Sequence, residues 1–329
     1  QGRAFWVLDD LFVIRQYHED IEQKNMHLFR PDTTHMLPRS RGATNIEGKN
    51  PSRGVPLYYF LNNNQDDKEL IIDIRNDKNE LIKHFSSKES AHDKCIIKNM
   101  DPRSPFVVDY PKKSFGLNIW RWDMRSENMQ CVEGIALFAG YQGPRVSPGT
   151  YKATIKHGDQ QNSVIFEIQT DPRVNLKKDD IDSWSNQLDA INNTLNTMLQ
   201  QTYKIRIIKQ QIEDLMHQHQ NETRLQAMSS NAISAIDVWQ SKITQIKHET
   251  LEDEDAWETM LAGQLRYLMD VVDRSGPPVT EGSRIRLNDL SQIWRTLQSE
   301  YTTIMDNEVE LINDWAKEKN ITHISGVNN

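Results

Sequence analysis

Between residues 181 and 205 the apolar residues recur at 3-4-3-4 spacing. Ile181, Trp184, Leu188, Ile191, Leu195, Met198, Thr202 and Ile205 share one stripe of a helix, and Ile212 and Leu215 extend it beyond Lys209. A strand does not use this period, because its side chains change face at every residue. A second stripe carries Leu225, Met228, Ala232, Ala235, Trp239, Ile243 and Ile246, and a shorter third runs from Trp257 through Leu261, Leu265 and Leu268 to Val272. "RSGPPVTEGS" (274–283) stops the third. The last carries Leu287, Leu290, Trp294, Leu297, Tyr301, Ile304, Glu308, Leu311 and Trp315, with Glu308 marking either a frayed end or a register. Such stripes pack as antiparallel neighbours when the connections are short. Residues 173–329 are therefore expected to form an elongated antiparallel bundle of three or four helices whose seams satisfy one another within the chain.

The composition changes near residue 172. Upstream, Pro, Gly and short alternating runs dominate; downstream, Gly and Pro nearly vanish except around 276–282. "VPLYYFLN" (55–62) reads as a strand. "ELIIDIRNDKNELIKHF" (69–85) reads as a hairpin turning at "NDKN". "GLNIWRWDMR" (116–125) alternates, and the set Asn118, Trp120, Trp122 and Met124 is expected to face a core. "GTYKATIKHGDQQNSVIFEIQT" (149–170) reads as a second hairpin, entered through "SPGTY" with Pro148 fixing φ and Gly149 permitting positive φ. Residues 53–172 are thus expected to form an immunoglobulin-like antiparallel β-sandwich, giving an α+β multidomain fold. Residues 17–52 show no periodicity and read as an irregular strap with scattered basic residues.

Several function classes drop out. No window of about 18 apolar residues occurs, so no membrane span is expected. Residues 1–174 hold 24 Lys and Arg against 23 Asp and Glu, a net +1, while residues 175–329 hold 15 against 24, a net −9. An acidic second half disfavours nucleic acid and anionic lipid surfaces. Cys95 and Cys131 are the only cysteines; two free buried thiols are the expected state, with a single disulfide the alternative in an exported protein. The chain opens with "QGRAFWVLDDLFVIRQ" (1–16), an apolar strand-like run with no initiator Met and no nearby hairpin partner, as a piece of a larger protein would.

No catalytic, cofactor-binding or metal-ligating residue emerges. G-x-G-x-x-G, P-loop, H-E-x-x-H and G-x-S-x-G patterns are absent. His217 and His219 stand two apart at a helix end and read as part of a polar turn. Asp9 and Asp10, adjacent on a strand, point to opposite faces and read as the turn that ends it. Asp123 between Arg121 and Arg125 reads as a cross-sheet ion pair, and "EDED" (252–255) as the charged start of a helix. The sequons at Asn192, Asn221 and Asn320 matter only in a source that glycosylates. The tryptophans, five of eight on helices, read as core.

Four pieces together resemble the C-terminal region of the Bacteroidetes BNR/sortilin (VPS10)-like β-propeller proteins, often labelled glycosyl hydrolases: "GRAFWVLDDLFVIRQ" (2–16), "RGVPLYYFL" (53–61), "GLNIWRWDMR" and "PGTYKATI" with "DPRV" (171–174). The 69–85 hairpin resembles that family's "IxDxxGxxI" hairpin, although "NDKN" lacks its Gly. The resemblance implies that 1–16 is the closing strand of a missing upstream propeller, followed by a strap (17–52), the Ig-like domain (53–172) and the helical region (173–329). It implies a non-catalytic module of an exported, cell-envelope-associated protein that braces the propeller or docks a partner, with any glycan reached through the propeller. The alternative it carries is part of a sialidase-like glycoside hydrolase whose active site lies mainly upstream. No Asp-box repeat (S-x-D-x-G-x-T-W) is present, so no catalytic residue carries over.

Overall fold

A computed structural model describes residues 8–37, 52–62, 67–99, 108–137, 139–247, 253–321 and 324. The chain divides into two compact units. One comprises Gln1–Ala91, Val107–Glu127 and Gln142–Ser185; the other comprises His92–Phe106, Asn128–Tyr141 and Asn186–Asn329.

The first unit opens with α1 (Phe12–Gln16) and a 3₁₀ turn (Glu19–Ile21), followed by β1 (Met26–Leu28), β2 (Thr34–Met36), β3 (Val55–Leu61), β4 (Leu70–Asn76) and β5 (Leu81–Ser86). After α2 (Ala91–Lys98) come β6 (Gly116–Trp122), β7 (Gly149–His157) and β8 (Gln160–Thr170). Phe5–Val7 of the opening run lie outside the described residues, and no strand occurs among the described residues 8–16.

The expected Ig-like sandwich is not formed. The strands make a three-stranded sheet ordered β1-β3-β6 and a five-stranded sheet ordered β2-β8-β7-β4-β5, together a curled half-barrel. Two departures account for the difference. β1 and β2 arise inside the segment read as an irregular strap; at three residues each, they are too short to show alternation. β2 also pairs with β8 in parallel, which an antiparallel sandwich does not do. One cluster unites the inward faces of both sheets, including Leu57, Tyr59, Ile72, Ile74, Trp122, Ile155 and Phe166.

Both hairpins form. The first turns with Asn79 at φ 63°, so Asn supplies the left-handed residue for which Gly is the usual choice. Asn76 Oδ1 accepts the backbone N–H of Lys78 (3.1 Å) and Glu80 (2.9 Å) to close the turn. The second turns over Gly158 and Asp159, and Gly149 is simply the first residue of β7.

The helical region runs through α3 (Lys178–Gln218), α4 (Thr223–Ile243), α5 (Asp253–Ala256), α6 (Leu261–Ser275) and α7 (Glu281–Thr303). A π-helical segment (Ile304–Val309) leads into α8 (Glu310–Glu318). These long helices are not the three- or four-helix bundle expected: six helical segments are described, and the 41-residue α3 is nearly twice as long as α4 or α7. The stripe of α3 is buried as read, from Trp184 through Ile205. On α4 the buried face is Leu225, Ser229, Ala232, Ile236, Trp239 and Ile243, one residue away from Met228 and Ala235. At the end of α7 the π segment inserts one extra residue into the helical repeat. The buried face therefore moves from Glu308 to Val309 and from Leu311 to Ile312. The turn before α7 holds Gly276 at φ 67°, and Thr280 caps the helix by accepting from the Ser283 N–H (3.3 Å).

The expected free thiols are also corrected. Cys95 of α2 is bonded to Cys131. No residue of α2 is buried, so apolar packing alone does not hold this helix, and a covalent staple supplies what is missing. Asn99 Nδ2 donates to the Val132 carbonyl (2.8 Å), and the Gly134 N–H donates to Asn99 Oδ1 (2.7 Å) beside it.

Candidate functional site

The first unit presents two features on the outer faces of its sheets. One is a polar row across the five-stranded sheet. The register sets His84 of β5 opposite Asp73 of β4, Asp73 opposite Thr154 of β7, and Thr154 opposite Ser163 of β8. His84 Nδ1 lies 2.8 Å from Asp73 Oδ1, and Lys156 Nζ donates to Asp73 Oδ2 at 3.2 Å. Burial pushes the Asp73 carboxyl upward, but the bonds from His84 and Lys156 outweigh it and hold the group below its ordinary value. Asp73 thus orients one imidazole nitrogen and leaves the ring half exposed. The Thr154 and Ser163 hydroxyls of the row bond each other at 2.9 Å. The row stabilises the sheet rather than assembling reacting groups.

The second feature is apolar. β6 is one of the two edges of the three-stranded sheet, and no described strand pairs with its free side. Its inward face is core: Trp122 is fully buried, its Nε1 donates to the Arg125 carbonyl (2.8 Å), and its ring meets Tyr151 and Phe166 edge-on. Its outward face is also apolar. Leu117 is 52% and Ile119 37% exposed, and the preceding Phe115 is 62% exposed. Leu117 lies opposite Phe60, and Ile119 opposite Tyr58, on β3. Phe115 and Phe60 approach to 6.4 Å between ring centres. On the β3 side the sheet is covered: Phe12 of α1 packs edge-on against Tyr58 at 5.7 Å, and Phe12, Val13, Ile21 and Phe29 form a small core there. The cover stops short of β6.

A polar latch sets that limit. Asp10, at φ 58°, accepts from Arg121 Nη2 (2.7 Å) and from the Tyr58 hydroxyl (3.0 Å). Burial and the adjacent Asp10 carboxylate both raise the Tyr58 phenol above its ordinary value, so the hydroxyl stays a donor. The latch holds the turn before α1 against the sheet and leaves Leu117 and Ile119 uncovered.

The residues weighed in the sequence fall as follows. Arg121 takes Asp10 as its partner, not Asp123; Asp123 instead accepts the Arg125 N–H at 3.2 Å and pairs with the Arg125 guanidinium at 3.8 Å, a local ion pair rather than a cross-sheet one. His217 and His219 do sit at the turn between α3 and α4, where His219 meets the Trp315 ring edge-on at 5.6 Å. Asp253 opens the four-residue α5, and residue 252 lies outside the described residues. Among the described residues no group of three or more His, Cys, Asp or Glu is placed to hold a metal ion, and no helix is long and apolar enough to cross a membrane. The uncovered strip was missed, although "FGLNI" carries its signal: β6 is apolar on both faces, a pattern belonging to a strand covered on both sides. No family model, no curated protein and no solved structure matches this chain, so the likeness to BNR/sortilin-like proteins draws no support from those comparisons.

Proposed function

We propose that this chain is a non-catalytic structural and interaction module of an exported protein, and that β6 is its docking edge. The supporting observation is the pairing of an unpartnered strand edge with a contiguous apolar outer face, Phe115, Leu117 and Ile119. Natural sheets usually guard such an edge with charge, proline or a covering loop. The occupant that fits is a protein segment in extended conformation with apolar side chains at alternate positions. It adds a strand through main-chain hydrogen bonds and sets its side chains on the strip. Export is supported by the Cys95–Cys131 bond, since disulfides persist in oxidising compartments.

Site-specific photo-crosslinking in the producing cell tests this reading. Benzoylphenylalanine replaces Leu117 in one variant and the exposed Ile285 of α7 in another. One discrete adduct from position 117, absent from position 285, is expected. Equal labelling from both positions, or none from 117, overturns the proposal.

A further inference from the structure

Both cysteines belong to the second unit, where α2 lies along the segment that follows Asn128. None of the helix's residues is buried there. His92 Nε2 lies 2.8 Å from the Met129 carbonyl oxygen. Lys98 pairs with Glu133 at 2.8 Å, but the two side chains are 61% and 65% exposed, so the pair contributes little. An eight-residue helix is too short to persist alone in water, so the order of α2 depends on the Cys95–Cys131 bond.

The two sulfurs are in different surroundings. Cys131 is buried, whereas Cys95 is only half-buried. Asn99 Nδ2 lies 3.3 Å from Cys131 Sγ and 3.9 Å from Cys95 Sγ. The amide is fixed from both ends: Nδ2 also donates to the Val132 carbonyl, and Oδ1 accepts the Gly134 N–H. A donor held in this way is in place to stabilise negative charge on Cys131 Sγ, and a stabilised thiolate is the better leaving group. One sulfur is therefore open to attack and the other is prepared to leave.

We propose that Cys95–Cys131 is a redox latch, opened by a dithiol reductant, whose opening frees α2. The reductant's thiolate attacks Cys95 Sγ and bonds to it. The Cys95–Cys131 bond breaks, and its electron pair passes to Cys131 Sγ as a thiolate that accepts from Asn99 Nδ2–H. The reductant's second thiolate then attacks the reductant sulfur bound to Cys95. That closes a disulfide within the reductant and releases the Cys95 thiolate, which takes a proton. The protein gains two electrons and the reductant loses two. In an oxidising compartment the latch stays closed until such a dithiol is supplied. The latch does not involve β6, so its failure would leave the docking edge untouched.

The test uses the full chain under native conditions. Glutathione with iodoacetamide trapping identifies the attacked sulfur: glutathione is expected on Cys95 and the alkyl group on Cys131. Millimolar dithiothreitol is expected to reduce the bond without denaturant. Hydrogen exchange across residues 91–98 is then expected to speed up about tenfold or more, while α3 keeps its protection and reports an intact fold. Cys95→Ser with Cys131→Ser is expected to exchange like the reduced chain. Asn99→Asp replaces the donor with a carboxylate and is expected to slow reduction roughly threefold or more. A merely structural role for Asn99 gives the opposite sign, because loosening the site exposes the bond and speeds its reduction. Glutathione on Cys131, reduction only in denaturant, unchanged exchange at 91–98 after reduction, or an Asn99→Asp rate at or above the parent's overturns the proposal.

Discussion

Of the four edge strands of the described sheets, β5 and β6 are treated in opposite ways. On β5, Lys83 points inward, opposite Ile74 on the core face, and its side chain is only 9% exposed. Its Nζ donates to the Ser126 carbonyl at 3.1 Å. Beside it Glu127 accepts the backbone N–H of His84. An inward charge and an occupied edge amide make β5 a poor template for another strand. On β6 the outward positions are Leu117 and Ile119, and the one charged side chain on that face, Arg121, is turned to Asp10. This contrast among the described strands supports the proposal that β6, not β5, is the docking edge.

The largest effect separates the two faces of β6. Trp122→Ala is expected to cost about 3–5 kcal/mol, read as a lowered denaturation midpoint, because it empties a fully buried site and leaves the Arg125 carbonyl without its donor. A cost near that of a surface substitution would break the assignment of the inward face. Next, Lys83→Ala is expected to cost about 1–3 kcal/mol by orphaning the Ser126 carbonyl. The variant should also form oligomers by light scattering; a strictly monomeric variant would remove the guarding role from Lys83.

Acid sensitivity sharpens the β4–β5 side. Asp73 has a depressed folded pKa, so its contribution is present above the unfolded carboxylate value, about 3.9, and is lost as pH falls through the folded value. Asp73→Asn should therefore flatten the acid limb of the stability curve below about pH 4 and leave its shape at neutral pH unchanged. An unaltered acid limb would dismiss the His84–Asp73–Lys156 cluster as a stabilising device. The smallest effect belongs to the outer face of β6. Ile119→Lys, made beside the crosslinker at 117, is expected to stay within about 0.5 kcal/mol of the parent in the isolated chain while abolishing crosslinking at the strip. A large loss of stability would mean that the strip is covered within the chain itself.

What could be read from the sequence follows pattern length. The α3 stripe repeats over many turns, and its buried face is the one read, Trp184 to Ile205. The hairpins were legible because turn residues and alternation agree, with Asn79 doing the work of a glycine. β1 and β2 were not, since three residues carry no period and the parallel β2–β8 pairing leaves no local mark. The end of α7 misled for another reason. A π turn shifts the repeat by one residue, so Val309 and Ile312 take the places read for Glu308 and Leu311. The Cys95–Cys131 bond joins positions 36 residues apart that no motif connects. The β6 strip was visible as a strand apolar on both faces, but only a sheet order that puts β6 at an edge gives that pattern a function.

Hydrogen exchange across β6, residues 116–122, is the most direct measurement, made on the isolated chain and on the protein recovered in its native assembly. The account predicts fast exchange at the free-edge amides of the isolated chain and strong protection in the assembly. Matching exchange in both states would contradict β6 as the docking edge.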